Sequence, residues 1–423
     1  MPTHILGLGT ASPAHRMTQA EALQMFTDIV CEDQRQVRLG RALFRKAEVH
    51  TRGTVLPHRI AYNWCSTLAG TVEPSPRDIV SLPRDVVSSP CDESTSHDES
   101  TLRDRTQLRG ELPTVLPGKS HGPSTGERMQ LYSEFAGELA CESSRKALDQ
   151  ARIAPYEITH LVTVSCTGFD APGVDIHLIK RLGLPNTTQR LHIGFMGCHG
   201  AINGLRAARA ITEADANARV LLCAVELCSL HYRFTWDSEA IIGNALFGDG
   251  SAALVLSGGP QAVPTSALPW QVVDTGSVVI AESNQSMSWS IGDHGFDMRL
   301  SSDIGDKIES CLAGWLTAWL AKHQLSVDDI SYWGVHPGGP KIVAAVKNCL
   351  SLSDEDLRTS RAILAKHGNM SSPTVLFILN EFQRARAAAN ELTAGHCVLL
   401  GFGPGLVAEV ALLSVPQRAA TIN

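Results

Sequence analysis

Short apolar runs alternate along the chain with stretches whose apolar residues recur every three or four positions, the pattern of strands followed by helices. Thr3-His-Ile-Leu-Gly-Leu-Gly predicts a first strand, closed by a loop near Pro13, and Gln19–Thr27 predicts a helix. Patterning then stops. Residues of about 70–120 hold few large apolar side chains, Pro74–Pro90 is rich in Pro, Ser and Arg, and Asp92-Glu-Ser-Thr recurs from Asp98. Such a stretch buries too little to offset its ordering entropy, so a disordered insertion or long loop is expected there. It is either a flexible partner-binding loop or non-coding sequence retained in the gene. Order resumes at Pro123-Ser-Thr-Gly-Glu-Arg-Met, which leads into a helix to about Ala151.

From there the pattern repeats itself. Ile158-Thr-His-Leu-Val-Thr-Val runs into the loop Thr167-Gly-Phe-Asp-Ala-Pro-Gly and a helix ending near Leu182. Ile330-Ser-Tyr-Trp-Gly-Val-His runs into Pro337-Gly-Gly-Pro and a helix ending near Leu350, an offset from 158 to 330 of 172 residues. The run into Cys198 has its counterpart in Ala362-Ile-Leu-Ala-Lys-His-Gly-Asn369, at an offset from 198 to 369 of 171. Arg219-Val-Leu-Leu-Cys-Ala-Val matches His396-Cys-Val-Leu-Leu-Gly-Phe, from 219 to 396, at 177. Chance likeness of generic units would account for one match, but three in register make duplication the better reading. An internal duplication is predicted, giving an α/β fold with mostly parallel sheets covered by helices. The two halves are residues 1–270 and 271–423.

Cys198 stands out within this frame. It sits in Gly194-Phe-Met-Gly-Cys-His-Gly, between Arg190-Leu-His-Ile-Gly-Phe-Met, which reads as a buried strand, and a helix over 201–211. A thiol at the start of a helix meets unpaired backbone N–H groups, whose field favours the nucleophilic thiolate. A small residue packed under a helix is the alternative. In parallel α/β sheets ligand sites lie beyond the carboxyl ends of strands, where Cys198, His336 and Asn369 are all expected. Together they offer a nucleophile, a base and an amide donor. His336 is placed to form an ion pair with the Cys198 thiolate, and His336 and Asn369 to donate to an oxygen that gains negative charge. Taken singly, His336 reads as structural and Asn369 as a residue tolerant of a left-handed turn.

Composition narrows the class. At 423 residues with a net charge of −7, the chain has room for a large core and no basic footprint for nucleic acid. No apolar segment is long and unbroken enough to span a bilayer, and no N-terminal stretch reads as a leader. Eleven cysteines without paired spacing suit a reducing cytoplasm and argue against a zinc site.

Five separated motifs carry a resemblance. Gly-Phe-Met-Gly-Cys198-His-Gly, Leu246-Phe-Gly-Asp-Gly-Ser-Ala-Ala, Gly334-Val-His336-Pro-Gly-Gly-Pro, Gly368-Asn369-Met-Ser-Ser and Gly401-Phe-Gly-Pro-Gly-Leu occur in the order found in the type III polyketide synthases. The chain resembles these chalcone-synthase-like enzymes, in their bacterial form, over almost all its length except about 70–120. The His-Pro-Gly-Gly-Pro and Gly-Asn-Met-Ser-Ser segments separate it from ketoacyl-ACP synthase III. The resemblance implies a thiolase-like αβαβα layered fold of two duplicated halves. It also implies a cytoplasmic homodimer, with the Ala171 loop reaching the neighbouring subunit.

The implied activity is decarboxylative condensation of malonyl-CoA onto an acyl-CoA starter held on Cys198. His336 and Asn369 would stabilise the enolate, and cyclisation would give a resorcinol, pyrone, chalcone or naphthalene. CoA thioesters are the substrates, and no cofactor or metal is implied. Phe247 matches one gatekeeper position, and Met298 stands where a second gatekeeper, usually Phe in plant enzymes, is expected. Cys166, Thr167, Cys228, His231, Trp289 and Ser371 match cavity-lining positions, with His231 and Trp289 bulkier than in plant enzymes. Arg45, Lys46 and Arg52 fall where the family keeps cations for the CoA phosphates, and Lys341 is a further candidate; solvated surface charge is the alternative for each. A single-condensation enzyme of the ketoacyl-ACP synthase III kind and a non-catalytic scaffold are the competing expectations.

Overall fold

The computed structural model describes residues 2–57, 122–237, 241–259, 270–389 and 394–415. The expected insertion at about 70–120 lies outside the described residues.

Nine strands form one continuous sheet. In chain order its first half uses β1 (Thr3–Ala11), β4 (His160–Ser165), β5 (Gln189–Gly194), β6 (Arg219–Leu227) and β7 (Asp249–Gly258). The second half uses β8 (Trp270–Val279), β11 (Ile330–Val335), β12 (Gly395–Gly403) and β13 (Val407–Val415). The order across the sheet is β11-β12-β13-β8-β1-β7-β6-β4-β5. Read outward from the central β1–β8 pair, the halves mirror each other: β7 matches β13, β6 matches β12 and β4 matches β11. Two of the three sequence repeats therefore correspond strand for strand.

Two expectations need correction. The sheet is mixed rather than mostly parallel, because β4–β5, β4–β6 and β11–β12 are parallel while the other five pairings are antiparallel. The connection Pro404-Gly405-Leu406 between β12 and β13 is too short for the crossover that parallel neighbours need. The run before Asn369 is a helix, α9 (Arg358–His367), and not a strand. Its buried residues Ser360, Ile363, Leu364 and His367 recur at helical spacing, so one stripe rather than alternate residues meets the core.

Helices complete five layers. α3 (Thr125–Ala151) and α4 (Val174–Leu182) cover one outer face, and α7 (Ile304–Ala321) and α8 (Pro340–Leu350) cover the other. Between the two halves of the sheet lie α5 (Gly200–Ala214) and α10 (Thr374–Ala388). Alternation along the strands decides which layer each residue meets. Val162, Leu222 and Ala224 pack on the central helices, while Leu161, Leu221 and Cys223 pack on α3. The N-terminal α1 (Gln19–Ile29) and α2 (Gln34–Lys46) pack on the one-turn α6 (Ile242–Leu246), flanked by the β2–β3 pair (His15–Thr18 and Thr51–Thr54). The hairpin of β9 (Met287–Gly292) and β10 (Gly295–Leu300) stands outside the main sheet.

Candidate active site

The turn that presents Cys198 is built by backbone geometry that side chains disfavour. Phe195 and Gly197 take left-handed φ of 60° and 74° between β5 and a short 3-10 turn, Gly197–His199, that runs straight into α5. A Cβ on Gly197 would lie 2.4 Å from Pro404 Cδ, so glycine lets this turn approach the β12–β13 turn of the other half. The preceding strand is not buried as expected: it forms the edge of the sheet, and Gln189–His192 are exposed.

His336 follows β11, with its backbone N–H donating to Leu400 O at 2.7 Å. It is buried, and neither ring nitrogen has a hydrogen-bond partner among the described residues. Asn369 follows α9, its main chain bridged to Phe247: Asn369 N donates to Leu246 O at 2.8 Å and Gly248 N to Asn369 O at 3.0 Å. Its side-chain oxygen accepts from Ser371 N at 2.7 Å, which turns Nδ2 toward Cys198 Sγ, 4.0 Å away. Asn369 and Cys198, 171 residues apart, are thus brought together.

The electrostatics differ from the sequence expectation. Burial pushes the Cys198 thiol from 9.0 up to about 11, with Glu226 adding to the rise and hydrogen bonds from Ser371 and Asn369 opposing it. That amounts to about 3 kcal/mol against the thiolate, more than the roughly 0.3–1 kcal/mol a helix N-terminus supplies. Burial, with His199 nearby, takes His336 down to about 3. Both shifts work against the ion pair that the sequence predicts.

The sequence reading missed Glu226 on β6. Its carboxylate is fully buried and accepts from Ser372 Oγ at 2.5 Å, Thr167 Oγ1 at 2.7 Å and Cys166 N at 3.0 Å. Cys166 Sγ lies 3.3 Å from both Glu226 Oε1 and Ser371 Oγ. Burial raises the Glu226 pKa, and these hydrogen bonds oppose the rise. A lone acid inside the apolar run Val220-Leu-Leu-Cys-Ala-Val-Glu-Leu is the signal that marks it, since a buried charge requires partners.

Of the expected cavity residues, Phe247, Met298, Cys228, His231 and Trp289 line one cleft of about 830 Å³ including its open mouth. Cys166, Thr167 and Ser371 belong instead to the polar network around Glu226 and Cys198. The cleft wall is fixed by hydrogen bonds: Trp289 Nε1 donates to Cys166 O at 2.8 Å, and His231 bridges Thr167 O at 2.7 Å and Phe296 N at 3.0 Å. Burial takes His231 to about 3, so it stays neutral, with Nδ1 accepting from Phe296 and Nε2–H donating to Thr167.

The candidate cations separate. Arg45, Lys46 and Lys341 are exposed, and Arg45 shares a surface pocket with Arg41, His50 and Arg361. Arg52 does not fit its expected role. It is 4% exposed, and its guanidinium donates to the carbonyls of Asn244, Ala245 and Phe247 and to Gln19. Its Nη donors are all directed to those acceptors; Nε has no partner among the described residues, and the side chain lines the same cleft as Phe247 and Met298.

These pKa values set an expected result. Alkylation of Cys198 by iodoacetamide, located by mass spectrometry, should rise about tenfold per pH unit from pH 7 to near 11, because only the thiolate reacts. Glu226→Gln removes a charge that raises the thiol pKa, so the variant should react faster at each pH. A rate already level by pH 8 in the unaltered protein would show that the thiol is ionised after all.

Comparison with known proteins accords with this geometry. Residues 87–260 match the family model described as chalcone and stilbene synthases, N-terminal domain, and residues 271–416 match the C-terminal domain of the same family. The chain is 34% identical over 294 residues to the alpha-pyrone synthesis polyketide synthase-like Pks18 of Mycobacterium tuberculosis, covering 69% of this chain and 74% of that protein. Its fold is similar to the crystal structure of PKS-I from the brown alga Ectocarpus siliculosus, with a TM-score of 0.79, 28% identity and 98% of each chain covered. The C-terminal type III polyketide synthase domain of Steely1, from Dictyostelium, shares the fold at a TM-score of 0.77 and 20% identity, over 98% of this chain and 99% of that one.

Proposed function

The chain belongs to the chalcone and stilbene synthase family, the type III polyketide synthases, and from that premise we propose that it extends an acyl group held on Cys198 with two-carbon units from malonyl-CoA. As a member it is an acyltransferase that builds polyketides. Two observations support the finer reading: Asn369 Nδ2 points at Cys198 Sγ, and buried His336 keeps both ring nitrogens without a partner among the described residues.

In this reading His336 takes the thiol proton as Sγ attacks the carbonyl carbon of the starter thioester, and CoA thiol leaves. The malonyl thioester then loses CO₂. The electron pair of the broken C–C bond becomes an enolate, whose oxygen accepts from the His336 imidazole N–H and from Asn369 Nδ2. The enolate carbon attacks the Cys198 thioester, sulfur leaves as thiolate, and the product is a CoA thioester two carbons longer. Loss of CO₂ makes the sequence favourable, so neither cofactor nor metal is required. A neutral imidazole suits both duties, since it accepts the thiol proton in one step and donates an N–H in the next.

Arg41 and Arg45, flanking the pocket beside α2, support a site for the CoA phosphates. The exposed edge strand β5, with Leu191 43% exposed on it and Met196 39% exposed just beyond its end, supports a homodimer in which a second copy covers that edge. No helix among the described residues is long and apolar enough to cross a membrane. None of the nine described cysteines is in a disulfide, which favours the cytoplasm.

The test is incubation with labelled malonyl-CoA and a panel of acyl-CoA starters, using protein whose sedimentation shows the dimer. Carbon–carbon bond formation with at least one starter is expected, and Arg45→Ala should raise KM for the thioesters with kcat little changed. No condensed product with any starter from a folded dimer would sink the proposal.

A further inference from the structure

Arg52 holds a fork of contacts around the segment that carries Phe247. Nη1 donates to Asn244 O at 2.8 Å and Phe247 O at 3.0 Å, and Nη2 donates to Ala245 O at 2.8 Å and to Gln19 Oε1. Gln19 Nε2 in turn donates to Ala245 O at 3.1 Å and to Phe44 O at 2.9 Å. α6 has a single turn, too short to persist on its own, and its last carbonyls have no intrahelical partners. Arg52 supplies those partners from a buried position.

The segment after α6 reaches the candidate active site directly. Leu246 and Gly248 make the two main-chain bonds that hold Asn369. The two segments of this contact are pressed together: a Cβ on Gly368, whose φ is 70°, would lie 2.8 Å from Leu246 O and 3.4 Å from Arg52 Cβ. Displacing Leu246–Gly248 therefore moves the Phe247 ring and the Asn369 amide as one unit.

We infer that Arg52 is a positioning residue: it caps α6 and thereby sets both the Phe247 ring in the cleft wall and the Asn369 amide beside Cys198, rather than binding a phosphate. A fork is needed for this, because three carbonyls and the Gln19 amide are spread around a planar guanidinium. A lysine ammonium carries the charge without that reach.

The inference rests on the proposed roles of Cys198 and Asn369, and the test separates the two. Two half-reactions are followed in Arg52→Lys, Gln19→Leu and Asn369→Ala: acyl transfer from a starter CoA to Cys198, read by intact mass, and release of CO₂ from malonyl-CoA without starter. Acylation should stay within about threefold of the unaltered enzyme in Arg52→Lys and Gln19→Leu. Decarboxylation should fall roughly 100-fold in Arg52→Lys, the loss typical of an ångström-scale misplacement, and less in Gln19→Leu, with KM for malonyl-CoA unchanged. If Arg52→Lys does not fold, Gln19→Leu alone decides. Equal loss of both half-reactions would mean a merely structural role, and a raised KM with kcat intact would mean a phosphate ligand; either overturns the inference. Decarboxylation lost in Asn369→Ala but kept in Arg52→Lys and Gln19→Leu overturns this inference alone. Decarboxylation kept in Asn369→Ala overturns the site reading, and this inference with it.

Discussion

Cys198→Ala is expected to lower carbon–carbon bond formation by at least about 10³-fold, the scale of loss when a covalent nucleophile is removed. Without Sγ there is no acyl acceptor, and no neighbour replaces it. Cys166 and Cys228 are buried thiols whose pKa burial pushes well above the ordinary value, and each also feels the Glu226 carboxylate. Malonyl-CoA decarboxylation should remain measurable in the same variant, because in the proposed mechanism His336 and Asn369, and not sulfur, hold the enolate oxygen. Cys166→Ala and Cys228→Ala should keep condensation and at most alter the product mixture. Product analysis by mass spectrometry reads all three, and condensation retained in Cys198→Ala would break the mechanism.

Gly9→Val should have the largest effect on folding, for a reason that lies outside the active site. β1 runs at the centre of the sheet against α3, and a Cβ on Gly9 would lie 2.1 Å from Ser143 O, with one on Gly7 2.1 Å from Ala147 O. Backbone oxygens cannot rotate away, so strand and helix must separate, opening the core between them. A cost of at least about 3 kcal/mol is expected, at the upper end for overpacking. Urea unfolding measures it. Gly314→Ala is the contrasting case: the residue is exposed on α7 and its Cβ would meet nothing within 4 Å. There the helix should gain up to about 1 kcal/mol from helix propensity. Wild-type stability in Gly9→Val would show that β1 and α3 are not packed as described.

The parts of the site that were legible in the sequence are those made by contiguous residues. Gly-Cys-His-Gly between a strand and a helix marks the Cys198 turn, and Val-His-Pro-Gly-Gly-Pro marks the end of β11. The period of apolar residues shows the elements of the repeated units because a strand or helix buries its own face wherever it packs, but α2, β7, β8, α7 and β13 are not among those it predicts. That same signal failed for 358–367, where a short apolar run fits either period and only the stripe buried against its neighbours decides. Arg52 was misplaced because sequence shows its charge and not its depth.

By itself the sequence determined the α/β class, the repeated halves and the family, and it singled out the three residues proposed to carry the chemistry, all of which rest on local pattern and motif. Tertiary structure alone decided that the sheet is mixed and that β5 lies exposed at its edge. It decided too that burial pushes the Cys198 thiol pKa up and the His336 pKa down, against the helix field that the sequence pattern advertises. Glu226, Arg52 and Gln19 join the site only through contacts between segments far apart in the chain. Desolvation and hydrogen bonding act on what surrounds a residue in space, and that is set when the segments meet.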